Sequence, residues 1–222
     1  ALLALIESPS PEGLRTCRRR ISSLRRRRLE VFERVRQLSG QPWPERRAFV
    51  RSRLARALGR GDSAAAEREF RAGYELSERM GETGYLSTAA GFLAGALYAQ
   101  GRDEEALLYT KEGERAAAPD DVMSQYLWRS VRAKVLARGG ERKPAEKLAR
   151  EAVALADSTE HLDLRGTVHL ALAEVLRLAG RMSEASAEAQ ESLRFHEEKG
   201  NVVSARWARA MLAGLHEASA TS

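Results

Sequence analysis

The chain has 222 residues, 43% hydrophobic and 6% aromatic, with a formal net charge of +6 and one cysteine. The single cysteine excludes an intrachain disulfide, and no apolar run reaches the roughly 18 residues that a membrane-spanning helix needs. Few β-branched or aromatic residues alternate as strands require, so the composition predicts an all-α protein in a reducing, cytoplasmic setting. Because the chain begins without Met, we expect it to be part of a longer protein.

Positive charge is concentrated at the start of the chain. Residues 1–60 hold 16 of the 37 Lys and Arg and 5 of the 31 Asp and Glu, a balance of +11, whereas the remainder has a balance of −5. The excess includes two runs, formed by Arg18, Arg19 and Arg20 and by Arg25, Arg26, Arg27 and Arg28. Such runs can neutralise nucleic-acid phosphates, bind an acidic protein or a neighbouring domain, or reflect codon usage in a GC-rich genome.

The three explanations of the arginine runs are not equally well supported by the sequence. On a helix they wrap around several faces, and no aromatic stacking platform or readable DNA-binding motif accompanies them. A solvated face or codon usage is therefore favoured over an acidic partner, and an acidic partner over nucleic acid.

Residues 1–44 are predicted to form a basic helical segment followed by a linker. Apolar residues at three-four spacing over residues 12–38 indicate one long helix. This helix either packs on the rest of the chain or associates with a second copy in a homodimer, as a short coiled-coil seam would. Pro42 and Pro44 then break the chain, and we expect Trp43 to anchor the linker.

Four turn glycines define the rest of the chain. Gly61, Gly101, Gly140 and Gly180 stand 40, 39 and 40 residues apart, and each is followed five residues later by an alanine. A period of this length is typical of a stack of helical hairpins, and apolar residues three and four apart predict a helix before and after each glycine. The predicted hairpins cover residues 45–81, 82–119, 120–159 and 160–200, and residues 201–222 form a capping helix and tail.

Residues beside the glycines predict the helix ends and the packing. Glycine suits a left-handed C-terminal cap, and Asp103, Asp120 or Asp121, and Ser183 are expected N-caps. Columns of residues recur at fixed distances from the glycines. Small residues that allow close helix approach are Ala94, Ala133 and Ala173, with Gly73, Gly113, Ala152 and Ser192 twelve residues after the glycines, and the large residues are Leu97, Leu136 and Leu176.

This combination of a turn glycine, a following alanine and small-large columns resembles the tetratricopeptide repeat, although that family's period is about 34 residues. The fold that the resemblance implies is an α-solenoid of antiparallel helix hairpins. Longer segments resemble the C-terminal repeat region of bacterial multidomain regulators, which combine a class III adenylate/guanylate cyclase or DNA-binding domain with an AAA/STAND ATPase; they are Glu78–Thr88, Ala94–Gly101, Ala117–Val122, Val131–Arg138, Ala173–Arg181 and Lys199–Val203. That resemblance implies a regulatory module without catalysis.

No catalytic constellation is visible in the sequence. None of His161, His169, His196 and His216 has a partner at a recognised metal-ligand spacing, and His169 is expected to be a packed histidine. Neither a phosphate-binding glycine loop nor a nucleophile elbow is present. We therefore predict a protein that is not an enzyme and that has no cofactor and no metal.

A concave groove lined by the first helix of each hairpin is the predicted binding surface. Its candidate residues are Tyr98, Lys134, Arg138 and Arg177, which lie late in those helices and would suit an acidic or aromatic peptide. The leading hypothesis is a scaffold for protein interaction or intramolecular regulation within a bacterial signalling or transcriptional regulator. Small-molecule effector sensing is the first alternative, and nucleic-acid binding through the arginine runs is the second.

Overall fold

The structure, a computed structural model, describes residues 62–81 and 83–220. In this part of the chain there are eight α-helices and no strand. The helices are α1 (Ser63–Met80), α2 (Thr83–Tyr98), α3 (Asp103–Ala116), α4 (Val122–Arg138), α5 (Arg142–Asp157), α6 (Leu162–Leu178), α7 (Met182–Lys199) and α8 (Val202–Ala220). The helix predicted before Gly61 in the first hairpin, Gly61 itself, and the segment and linker predicted over residues 1–44 lie outside the described residues.

The described helices form two layers. Each helix packs on the next one along the chain, and α2, α4, α6 and α8 also contact one another in turn. The described helices α1, α3, α5 and α7 make no comparable contacts among themselves. Because closer spacing on one side curves a stack of hairpins, α2, α4, α6 and α8 form the inner layer of a solenoid. The expected all-α architecture is confirmed.

Glycines close the turns within and between hairpins. Gly101, Gly140 and Gly180 have φ of 74°, 86° and 83°, the left-handed region that glycine adopts without a steric cost. After each of them a backbone N–H bonds back to a leucine carbonyl, as in Arg102 N to Leu97 O at 3.1 Å. This is the bond that ends a helix in a Schellman motif, so the predicted role of these glycines is confirmed.

Two of the predicted N-caps are wrong. Asp121 does cap α4, because its carboxylate accepts the Ser124 N–H. Helix α3, however, is preceded by Arg102 and α7 by Arg181, and neither makes a side-chain cap bond. Asp103 is instead the first residue of α3, where its carboxylate pairs with Arg138. Ser183 lies inside α7, because that helix begins one residue earlier.

The repeat columns form the core. Ala94, Ala133 and Ala173 are all 0% exposed, which lets the inner and outer helices of each hairpin approach closely. Leu97 and Leu176 are also buried, whereas Leu136 is only partly buried at the edge of its cluster. The leucine column is therefore less regular in its burial than the alanine column.

Arginines at two hairpin turns tie neighbouring hairpins together. Arg102 Nη1 lies 2.7 Å from Glu67 of α1, and Arg181 Nη1 lies 2.6 Å from Glu146 of α5. Hydrogen bonds to Glu67 lower the pKa of that carboxyl to about 2, and the bond from Arg71 has the largest effect. The pairs occupy equivalent positions two repeats apart, and they fix how consecutive hairpins stack along the outer side of the array.

Two histidines lie between α6 and α7. His169 Nδ1 is 2.6 Å from Glu188 of α7, and its ring lies beside Phe195. His196 is buried against the Gly166 backbone, with Nδ1 3.7 Å from Asp163. The expectation that His169 is a packed residue agrees with these contacts.

None of the described helices is long and apolar enough to span a bilayer.

Candidate functional site

Three inner-layer helices bring four polar side chains together near their C-terminal ends. Tyr98 is the last residue of α2, Lys134 and Arg138 lie toward the end of α4, and Glu174 lies toward the end of α6. Lys134 and Glu174 each stand six residues before their turn glycine, so stacking of the hairpins sets them side by side. We call Tyr98, Lys134, Arg138 and Glu174 the inner-face cluster.

Tyr98 lies at the centre of the inner-face cluster and is only 5% exposed. The Arg138 guanidinium carbon is 3.7 Å and the Lys134 ammonium 4.5 Å from the centroid of its ring. Both cations are attracted by the negative ring face. The Tyr98 hydroxyl donates a hydrogen bond of 2.6 Å to Oε1 of Glu174. Burial and the nearby Glu174 carboxylate raise the pKa of Tyr98, so the hydroxyl is a protonated donor at neutral pH.

Carboxylates partly neutralise the two cations. Lys134 Nζ lies 3.7 Å from Oε2 of Glu174, so this one carboxylate faces both the lysine and the tyrosine. Arg138 pairs with Asp103 at 2.7 Å and donates to the Tyr98 carbonyl at 3.3 Å. The Tyr98–Glu174 bond also joins α2 to α6, which belong to hairpins that are separated by the α4–α5 hairpin.

Arg177 lies one turn beyond Glu174 on α6 and is partly exposed. Among the described residues its side chain makes no hydrogen bond or ion pair. It occupies the same position relative to its turn glycine as Tyr98 does in α2. Of the four residues predicted to line the groove, the structure therefore brings Tyr98, Lys134 and Arg138 into contact, whereas Arg177 has no hydrogen bond or ion pair with any of them.

The environment of Tyr98 differs from an exposed groove residue. Its ring is covered by Lys134 and Arg138 and its hydroxyl is bonded to Glu174, so a partner would meet these charged side chains before the tyrosine. The basic patch predicted at Arg18, Arg19, Arg20, Arg25, Arg26, Arg27 and Arg28 lies outside the described residues.

Sequence reasoning missed the two carboxylates of this site, Glu174 and Asp103. A signal for Glu174 was present, because a lysine and a glutamate in the same column of adjacent repeats predict an ion pair. Asp103 was assigned to helix capping, which is a local role, whereas its partner Arg138 is 35 residues away.

The charge and donors of the site suit binding of an anion. Lys134, Arg138 and Arg177 supply three positive charges against the two negative charges of Glu174 and Asp103, and the Tyr98 hydroxyl adds a neutral donor. Side-chain exposures of 20% for Lys134 and 37% for Arg138 leave both cations within reach of solvent. Within the described ranges, no group of three His, Cys, Asp or Glu side chains gathers as a metal site.

Comparisons with known proteins give a likeness in fold. No family model matches the chain, and no curated protein matches it in sequence. A solved structure that is similar to it is Bacillus thuringiensis PlcR in complex with the peptide PapR7 and DNA, with a TM-score of 0.63 and 12% identity. The match covers 77% of this chain and 62% of the PlcR chain.

At this level of identity the likeness shows the fold alone. Together with the turn glycines and the buried columns, it establishes an α-solenoid of tetratricopeptide-like antiparallel hairpins with a period of about 40 residues. The chain spans less than two thirds of PlcR. The likeness therefore does not assign the activity or the partners of PlcR to this chain.

Proposed function

We propose that the array is a non-catalytic binding module that takes an acidic segment of a peptide or protein on its inner face and so regulates a larger bacterial signalling or transcriptional protein in the cytoplasm. The observation that carries the proposal is the inner-face cluster with Arg177 beside it. Two cations and a tyrosine hydroxyl meet there, and Arg177 adds a third cation one turn beyond Glu174. Cations and a neutral donor are the chemistry that carboxylates require.

The architecture supports a binding role. An extended segment can lie across the inner layer and contact several hairpins at once, which is how solenoids form long binding surfaces. The fold is shared with PlcR, whose structure contains a bound peptide. That likeness supports a peptide partner over a small-molecule effector, which we retain only as an outcome of the test.

The test is selection of peptides from a random twelve-residue library on the purified chain, followed by affinity measurement on variants. We expect the selected peptides to be enriched in Asp and Glu. Lys134→Gln should weaken their binding about fivefold, the effect of losing one partly exposed charge pair. Lys143→Gln is the matched control, because Lys143 is an exposed lysine of α5 that makes no ion pair with the described residues.

Two outcomes count against the proposal. If no peptide is enriched while a metabolite library raises the melting temperature, the effector alternative replaces it, because a ligand that binds only the folded state stabilises that state. If the selected peptides lose affinity equally in both lysine variants, or lose it only with salt, the binding is general electrostatics that includes the N-terminal arginines.

A further inference from the structure

Glu174 occupies the place that a partner's carboxylate would take. Its Oε1 accepts the Tyr98 hydroxyl at 2.6 Å, and its Oε2 faces the Lys134 ammonium at 3.7 Å. These are the two donors of the inner face that a bound acidic side chain needs. In the free protein they are already engaged by a carboxylate of the chain itself.

A second resting place for Glu174 lies on the same helix. Arg177 follows it by three residues, a spacing at which side chains on a helix meet, and Arg177 has no ion pair among the described residues. Moving the Glu174 carboxylate from Lys134 to Arg177 exchanges an ion pair between α4 and α6 for an ion pair within α6. Solvent reaches the present pair, since the Lys134 and Glu174 side chains are 20% and 22% exposed. The exchange of one such ion pair for another has a low free-energy cost. The Tyr98 hydroxyl loses its acceptor in the same step, so the step requires a carboxylate of the partner to accept that hydrogen bond.

We propose that Glu174 is an internal latch that competes with the acidic partner for Tyr98 and Lys134. In the closed state Glu174 binds Tyr98 and Lys134 and ties α2 to α6 across the intervening hairpin. In the open state an acidic side chain of the partner replaces it, Glu174 pairs with Arg177, and the tie between the two hairpins is released. This inference rests on the proposed function and adds its regulation. Competition by Glu174 lowers the affinity of the site for the partner, and binding of the partner loosens the inner layer because it removes the bond between α2 and α6.

The latch predicts opposite effects for its two positions. Glu174→Ala removes the competitor and should tighten binding of an acidic peptide at Tyr98 about fivefold, as expected for a partly exposed charged competitor. Arg177→Met removes the open-state partner of Glu174 and should weaken the same binding when Glu174 is present but not in a Glu174→Ala background, whereas loss of a direct Arg177 contact with the peptide would weaken it in both. Glu151→Ala is the matched charge control, because Glu151 lies on α5 and pairs with Arg129, away from the inner-face cluster.

The test is a ¹⁹F NMR titration of the full chain labelled with 3-fluorotyrosine, using a capped hexaglutamate peptide as the probe. The Tyr98 resonance, identified by its loss in Tyr98→Phe, reports occupancy of this one site and not binding to the N-terminal arginines. We expect its midpoint at lower peptide concentration in Glu174→Ala than in the wild type, at higher concentration in Arg177→Met, and unchanged in Glu151→Ala.

Three results would overturn the latch. These are equal shifts of the midpoint in Glu174→Ala and Glu151→Ala, an unchanged midpoint in Glu174→Ala, and a Tyr98 resonance that responds in no variant. None of them decides the proposed function, because peptide selection and the comparison of Lys134→Gln with Lys143→Gln are made with Glu174 in place throughout.

Discussion

Gly166 is the position at which the packing of α6 against α7 is most sensitive to one added methyl group. A Cβ there would lie 2.6, 2.7 and 2.9 Å from Cε1, Nε2 and Cδ2 of His196. That ring is 1% exposed, so any shift of it must displace packed neighbours. The Gly166 carbonyl also accepts the Ser192 hydroxyl at 2.7 Å, so the two helices cannot separate without loss of a buried hydrogen bond.

The expected effect of Gly166→Ala is the difference of two terms. Overpacking of a close helix crossing costs about 1–3 kcal/mol, and replacing a mid-helix glycine with alanine returns about 1 kcal/mol. We expect a net loss of up to about 2 kcal/mol in the free energy of unfolding. For a chain of this length that corresponds to a fall in Tm of up to about 8 °C, measured by calorimetry or circular dichroism.

The matched control is Gly214→Ala in α8, where an added Cβ meets nothing within 4 Å. Only the propensity term applies there, so this variant should gain up to about 1 kcal/mol. In a His196→Ala background the clash is absent, and Gly166→Ala should be neutral or stabilising. A Gly166→Ala protein as stable as the Gly214→Ala protein, or one that stays destabilised without His196, would refute the reasoning.

Two further predictions concern His196 and Tyr98. Burial lowers the pKa of His196 from its usual value of 6.5, against the opposing effect of Asp163. The unfolded chain therefore binds more protons than the folded chain as the pH falls through 6.5, and stability decreases there with a slope of at most about 1.4 kcal/mol per pH unit. Thermal unfolding should show this slope in the wild type and a smaller slope in His196→Gln, and equal slopes would contradict the assignment. Tyr98→Phe removes the bond between α2 and α6, so spin labels on outer helices α3 and α7 should give a broader distance distribution. The control is Tyr109→Phe, which removes the Arg71–Tyr109 bond between neighbouring hairpins. Identical distributions in the two variants would show that Tyr98 does not hold α2 and α6 together.

Regular features of the chain could be predicted from sequence because each is a local rule repeated several times. A glycine with positive φ, an alanine buried beneath the next helix and apolar three-four spacing are set by backbone sterics and by the helical period. Gly101, Gly140 and Gly180 with the column of Ala94, Ala133 and Ala173 therefore indicated the hairpins directly.

The site was harder to predict, because its contacts join residues that are far apart in sequence. Tyr98 was identified by its position late in an inner helix, but its burial depends on Lys134 and Arg138 of the next hairpin. Glu174 lies 76 residues from the tyrosine that it binds, and no local pattern reports such a distance. Asp103 had a plausible local role as a cap, and only the placement of α4 shows that it pairs with Arg138.

The most direct test of the central claim is where a selected acidic peptide binds. A nitroxide at one end of the peptide should broaden amide resonances near Tyr98, Lys134 and Arg177 on the inner layer in a spectrum of the full chain. Resonances of exposed residues on the outer helices, such as Lys111 and Gln190, should keep their intensity. Broadening confined to the outer helices or to residues 1–60 would contradict the assignment of the inner face as the binding surface.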